Sequence, residues 1–376
     1  MLLIEEKRTQ IDDLLDKMAE NLQLDATRQQ RMKQHYEAVK DWIEADPVFF
    51  GPYKYDVYPH GSVRILTTVK PVEREEFDLD IAIHLKPGMG SHSPARIYAE
   101  VKRRLEAHET YKGMLEPKNR CLRLNYSGDF HMDILPGVQE SEWDENKLKV
   151  PDHDLGRWVS SNPRGYADWF LAKANLVKMS LLEKALRAEN LPADNFDQKK
   201  PLQRAVQLIK RYRDLYFQER FSDHKTSSIV LTTLAGMYYT GEESIFDTVD
   251  NIVSTIGRET AVAEKRIKVF NPVNPQEDFT DKWEDDPRYY IGFKAFCKHL
   301  QSEWQELKKH HGIPDESRIL KGLFGESVVT KAYQSQASHL EELRGGGKLG
   351  INRTTGILSA AGSMASTVKP NTFFGA

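Results

Sequence analysis

The 376 residues carry 53 Lys and Arg against 56 Asp and Glu, a net charge of −3, which excludes a general electrostatic pull toward nucleic acid or acidic membranes and leaves room only for a local basic groove. Apolar residues make up 39% and aromatics 10%, with a mean hydropathy of −0.60, so a real core lies under a richly charged surface. The length exceeds what one core usually serves, and two lobes are expected.

The opening "MLLIEEKRTQ" turns charged after its first residues, unlike a secretory leader, and no apolar run of about eighteen residues is present to span a bilayer. Cys121 and Cys297 stand alone, without the spacing of a zinc site or a disulfide framework. The expected compartment is the cytoplasm, with no membrane partner.

In chain order, Ile4, Ile11, Leu14, Leu15, Met18 and Leu22 recur near a 3.6-residue period over 3–23 and predict an amphipathic helix. Met32, Tyr36, Val39 and Ile43 predict a second over 26–45, broken by "ADPVFFGPY". From Tyr53 the period becomes two. Tyr53, Tyr55 and Val57 alternate with polar residues, and Phe77–Leu85 does so more strictly. Ser93-Pro94 opens a helix over 94–108. "CLRLNYSGDFHMDIL" predicts a hairpin turning at Ser127-Gly128.

Beyond about residue 163 helical patterns dominate, at 166–190, 201–219, 226–240, 244–257 and 286–310, interrupted by a Pro/Asn-rich connection at 270–283. From Gly345 the chain is rich in Gly, Ser, Thr and Ala and lacks a sustained period, as a flexible tail would. The fold class is therefore α+β, with a sheet-based lobe over 1–162 that includes the N-terminal helices, a helical lobe over 163–344 and a tail over 345–376.

The strand "FDLDIAIHL" buries Phe77, Leu79, Ile81, Ile83 and Leu85 and must point Asp78 and Asp80 from its other face. Two carboxylates held that close repel unless a cation sits between them, and hard oxygen donors suit Mg²⁺ or Mn²⁺. Asp133 alternates with Met132 and Ile134 and would join them if its strand lies alongside. Three converging carboxylates can hold two metal ions, the apparatus of in-line nucleotidyl transfer. Gly61-Ser62 would supply a close backbone turn and a hydroxyl for a triphosphate. An isolated DxD usually only solvates a strand face; the combination with Gly-Ser and a third Asp is far more specific.

At these residues the sequence resembles the polymerase-β-like nucleotidyltransferases, and most closely the bacterial cGAS/DncV-like nucleotidyltransferases (CD-NTases). "HGSVRILTTVKP" and "EFDLDIAIHL" match that branch's core, and "NPRGYADWF", "AVQLIKRYRDLYF", "KTSSIVLTTLAG" and "NPVNPQEDFTDKW" its second lobe. One departure is Leu66, where the family often places Gly in GSxxxGT. The resemblance implies that Asp78 and Asp80 bind metal, that Asp133 joins one ion and helps deprotonate an attacking ribose hydroxyl, and that Ser62 holds the β/γ phosphates. It favours Lys210, with Ser227 more than Ser228, as further phosphate contacts, over a merely solvated basic face. His131, His60, Trp158, Tyr166 and Trp169 are more simply structural.

The implied activity joins NTPs, ATP foremost, into a cyclic di- or trinucleotide with release of pyrophosphate. The product would switch on a separate effector in the anti-phage systems called CBASS. The end "KPNTFFGA" also resembles tails conjugated through their terminal carboxylate by an E1/E2-like partner, here at Gly375-Ala376. The alternatives are a transferase acting on RNA or a protein acceptor, which the charge balance disfavours for RNA, and a non-enzymatic nucleotide-sensing module, which retention of all three aspartates disfavours. Nucleic acid is not a required partner.

Overall fold

Strand alternation, helix caps and a hairpin turn together build the sheet that carries the aspartates. The structure, a computed structural model, describes residues 2–72, 76–87, 92–154, 156–177, 199–263, 266–309, 312–352, 358–360 and 365–367. Helices α1 (Leu2–Asn21) and α2 (Ala26–Glu44) precede β1 (Tyr55–His60), the single turn α3 (Gly61–Arg64) and β2 (Phe77–Leu85). Next come α4 (Pro94–Glu106), α5 (Glu109–Met114), β3 (Leu115–Pro117), β4 (Leu122–Tyr126), β5 (Phe130–Gln139), β6 (Leu148–Asp152) and β7 (Arg157–Ser161). Among the described residues, the α-helices α6 (Pro163–Ala174), α7 (Pro201–Glu219), α8 (Ser228–Tyr238) and α9 (Ile245–Val262) follow. The hairpin β8 (Phe270–Asn271) and β9 (Asn274–Asp278) then leads to α10 (Lys282–Asp285), α11 (Pro287–Leu307), α12 (Ile313–Phe324) and α13 (Glu326–Gly345).

The helix starts follow simple chemistry. Asp25 accepts from the Arg28 N–H to cap α2, Ser93 from Arg96 N–H before Pro94, and Asn162 from Gly165 N–H before Pro163. In the main sheet the order is β1-β2-β5-β4-β3, with β6 on β5 and β7 on β6. Among the described strands of this sheet, only β2 and β5 run parallel.

The inner face of β2 packs Phe77, Leu79, Ile81, Ile83 and Leu85 into one core with Met32, Tyr36, Val39 and Ile43 of α2 and Ile97, Val101 and Leu105 of α4. A second core gathers α7, α9, α11, α12 and α13, together with Ile11, Leu14, Leu15, Met18 and Leu22 of α1. By contact, therefore, α1 sits with the helices of the second half, although the sequence groups it with the sheet. The other face of β2 turns toward that helical half, and a cavity of about 490 Å³ opens between them.

Several elements differ from expectation. Residues 270–283 form β8, β9 and α10 rather than an irregular connection. Asn271 Oδ1 accepts from Val273 N–H at 3.1 Å and turns the hairpin tightly. The helix expected over 166–190 runs from Pro163 to Ala174, and residues 178–198 lie outside the described residues. Strands β6 and β7 and helices α12 and α13 complete the lobes without having been expected. Past α13, β10 (Leu349–Asn352), β11 (Leu358–Ala360) and β12 (Ala365–Thr367) pair in the order β11-β10-β12. Gly375 and Ala376, the expected conjugation end, lie outside the described residues. Among the described residues, no helix is long and apolar enough to cross a membrane.

Candidate active site

Three neighbouring strands bring the chemistry together. In the β1/β2 register His60 faces Asp80, and in the parallel β2/β5 register Asp80 faces Asp133. Asp78, two residues before Asp80, shares its face. Immediately after His60 the chain turns at Gly61, whose φ is +60°. A Cβ there would lie 2.0 Å from Asp80 Oδ2. Glycine is thus required twice, for the left-handed backbone and for the approach to the carboxylate. The Gly-Ser turn and the DxD strand are one interlocked unit.

Charge crowding shows in the acid–base behaviour of the group. Burial, reinforced by Asp78 and Asp133, pushes the Asp80 carboxyl up to about 8. Asp133 is held by Arg123 of β4, which donates from Nε to Oδ1 at 2.7 Å and from Nη2 to Oδ2 at 2.8 Å. The same guanidinium reaches Asp78 Oδ1 at 3.3 Å. Arg123 therefore stands as an internal counter-ion across two of the three aspartates. Among the described residues, no group of three His, Cys, Asp or Glu side chains is gathered into a ready metal cage.

The loop after Ser62 is gripped from the helical half. Ser62 Oγ lies 3.2 Å from Thr68 Oγ1. Helix α7 presents three buried polar residues along one stripe: Gln203, Gln207 and Lys210. Gln203 Nε2 donates to Ile65 O at 3.0 Å, Gln207 Nε2 to Thr68 O at 2.7 Å and Lys210 Nζ to Thr67 O at 2.9 Å. Between those carbonyls, Leu66 has φ +60°. The left-handed conformation that a Gly at this place would adopt freely is retained by Leu66, at a cost of about 1–2 kcal/mol. Burial, then the charge of Arg213, lowers the Lys210 ammonium to about 8.

Gly61, Ser62, Asp78, Asp80, Asp133 and Lys210 all line the cavity. Ser227 does not: it is the exposed N-cap of α8, and the next residue, Ser228, lines the cavity instead. His131 Nε2 pairs with Glu76 Oε2 at 3.0 Å, in keeping with a structural role. His60 faces the cavity, and burial brings its imidazole down to about 4, so it is neutral. Three residues were missed: Arg123, Gln203 and Gln207. Arg123 was within reach, because the expected hairpin pairs it with Asp133. The two glutamines were signalled only by polar residues recurring at helical spacing on the buried face of α7.

Residues 10–175 match the Second Messenger Oligonucleotide or Dinucleotide Synthetase domain. The chain is 42% identical, over the full length of both proteins, to a c-di-GMP synthase of Roseivirga ehrenbergii. It belongs to the CD-NTase family. A second relative, the cyclic dinucleotide synthase CdnG of Bradyrhizobium diazoefficiens, is 26% identical over 93% of this chain and 89% of its own. The fold is that of CdnG from B. diazoefficiens solved with GTP (TM-score 0.68, 23% identity, 87% of this chain and 99% of that one). It is shared with Vibrio cholerae DncV bound to 3′-deoxy GTP (TM-score 0.57, 13% identity, 87% of each chain). This CD-NTase is accordingly a nucleotidyltransferase of the polymerase-β-like α+β fold.

Two substitutions test the geometry. Gly61→Ala loses about 1–2 kcal/mol to the left-handed backbone, and its methyl displaces Asp80. Nucleotide synthesis should fall more than about a hundredfold in a chain that still unfolds cooperatively; near-normal turnover would show that the close approach does not matter. Gln207→Ala strips Thr68 O of a buried donor and should lower stability by about 1–3 kcal/mol in urea unfolding. An unchanged midpoint would mean that α7 does not hold the loop.

Proposed function

We propose that this CD-NTase joins two GTP molecules into cyclic di-GMP, releasing two pyrophosphates. The observation that carries this reading is the full-length 42% identity to a c-di-GMP synthase, in a chain whose three aspartates face one cavity beside a Gly-Ser turn. The expected preference for ATP gives way to GTP on this ground. As the resemblance to the CD-NTases implies, the product would serve as a second messenger that switches on a separate effector in anti-phage defence.

The donor set fits divalent metal. Asp78, Asp80 and Asp133 offer only hard carboxylate oxygens, burial and then their mutual repulsion raise Asp80, and Arg123 already supplies a cation between Asp78 and Asp133. These three residues would hold Mg²⁺ or Mn²⁺, with Asp133 freed as Arg123 swings away. The ions, when bound, lower the pKa of the attacking hydroxyl and stabilise the leaving pyrophosphate.

The chain's own residues do the rest. Ser62 Oγ and the backbone N–H groups of the turn hold the β/γ phosphates. Lys210, poised near neutrality by burial, is drawn fully to its ammonium form by the entering triphosphate. Asp133 takes up the proton of the attacking ribose hydroxyl. After the first bond forms, the linear intermediate turns round in the cavity and presents its second hydroxyl to the same carboxylates.

Incubation with each labelled NTP and Mg²⁺ or Mn²⁺, then phosphatase and mass spectrometry, checks the reaction. GTP alone should give a phosphatase-resistant cyclic di-GMP that is absent from an Asp78→Ala/Asp80→Ala variant. A resistant product containing adenine, or one made equally by the variant, would contradict the proposal.

The metal has a separate test in pH. Asp80 is raised from the usual carboxylate range to about 8, so between about pH 4 and 8 the folded chain holds a proton that the unfolded chain has lost. Metal-free stability from this group therefore falls as pH rises through that window, and a bound cation must displace the proton. The rise in Tm caused by Mn²⁺ should be larger at about pH 8.5 than at about pH 6. A rise independent of pH would place the cation elsewhere.

A further inference from the structure

The aspartates form only one side of the cavity. Another part of its wall is built where β7 meets the hairpin β8–β9, and it carries a carboxylate that nucleotidyl transfer does not use, Glu277 of β9. Ser161 Oγ donates to Glu277 Oε1 at 3.0 Å, and Asn271 Nδ2 donates to Oε2 at 2.7 Å. Both donors are buried, at 8% and 2% exposure. The Asn271 amide is itself oriented, because its Oδ1 accepts from Val273 N–H. Glu277 is thus held at both oxygens by neutral groups, and among the described residues no Lys or Arg is in ion-pair contact with it. Each oxygen keeps acceptor capacity for one more donor.

A carboxylate fixed in this way suits a partner with two adjacent N–H donors. The Watson–Crick edge of guanine offers N1–H and the 2-amino group side by side. Adenine places an acceptor, N1, at that point and has no 2-amino group. Cytosine presents N4–H beside an acceptor, and uracil a single N3–H between two carbonyls. Two positions beyond Glu277, just past the end of β9, Phe279 also lines the cavity. It packs edge-on to Tyr166, with ring centroids 5.9 Å apart and an interplanar angle of 89°. Its half-buried ring adds an apolar surface next to the carboxylate, of the kind on which a base stacks.

We propose that Glu277 recognises the Watson–Crick edge of a guanine base in the cavity, beside Phe279, and sets the enzyme's choice of guanine over adenine. The inference rests on the GTP reading above and assigns that choice to one side chain. Glu277→Gln is the informative change. An amide keeps the size of the side chain but presents one acceptor and one donor, a pattern that matches N6–H and N1 of adenine and clashes with one of the two guanine donors.

The experiment is calorimetric binding of non-hydrolysable GTP and ATP analogues to the full chain with Mn²⁺, for the wild type and Glu277→Gln. A wild-type preference for the guanine analogue of about tenfold or more is expected, and the variant should reduce it at least about tenfold, with adenine affinity held or improved. A wild-type preference left intact in the variant overturns the role of Glu277 while leaving the GTP reading in place. Equal loss of both affinities also overturns it, making Glu277 a support of the hairpin. No preference in the wild type overturns this inference and the GTP reading together. A measurement that needs no variant runs alongside: an inosine triphosphate analogue, which lacks the 2-amino group, should bind the wild type about tenfold more weakly than its guanine counterpart. Equal binding of the two would overturn the proposal.

Discussion

Everything at the site depends on the packing of Gly61 against Asp80. The antiparallel β1/β2 register brings the end of β1 to the level of Asp80, and the parallel β2/β5 register brings Asp133 to the same level. Only a residue without a side chain can turn there at φ +60° with a carboxylate in the space a Cβ would fill. The turn proposed to hold a triphosphate and the carboxylates proposed to act on it are thereby placed by one contact. The distance between them is not left to a flexible loop.

That closeness has an electrostatic cost, met in three ways. Asp80 is driven toward its neutral form, Arg123 spans Asp133 and Asp78, and Lys210 sits buried with its ammonium on a backbone carbonyl. Arg123 is the more mobile answer, because a guanidinium on a side chain can withdraw when a stronger cation arrives. Lys210 belongs to the stripe of α7 that clamps Ile65, Thr67 and Thr68 and keeps Leu66 left-handed. The helical half therefore shapes the loop after Gly61-Ser62 as well as covering it.

The sequence disclosed the parts whose residue types the chemistry dictates. A buried strand with Asp78 and Asp80 on its other face, a Gly-Ser turn ahead of it and Asp133 on a hairpin have little structural justification otherwise, and the α+β organisation followed from a change of period from two to 3.6. What stayed hidden was whatever depends on contact between distant segments. Gln203 and Gln207 look like unremarkable polar residues until their helix meets the loop. Glu277 lies in a hairpin whose Pro and Asn content mimics a connection, because side-chain hydrogen bonds of Asn271 do the work that β-branched residues do in longer strands. Ser227 and Ser228 differ by one position at a helix start, and only the direction of the α8 axis decides which one meets the cavity. Helices α12 and α13 are separated by Gly325 at φ +89°, a break that blurred two periodic segments.

We propose that Asp78, Asp80 and Asp133 form one metal-binding group once Arg123 lets go. A crystal structure of the full chain with Mn²⁺ and a non-hydrolysable GTP analogue, with manganese located by its anomalous signal, tests this most directly. Manganese is expected on oxygens of all three aspartates, with the β/γ phosphates over Gly61-Ser62 and Arg123 withdrawn from Asp133. Manganese bound elsewhere, or an Arg123–Asp133 pair intact in the presence of metal and nucleotide, would contradict it.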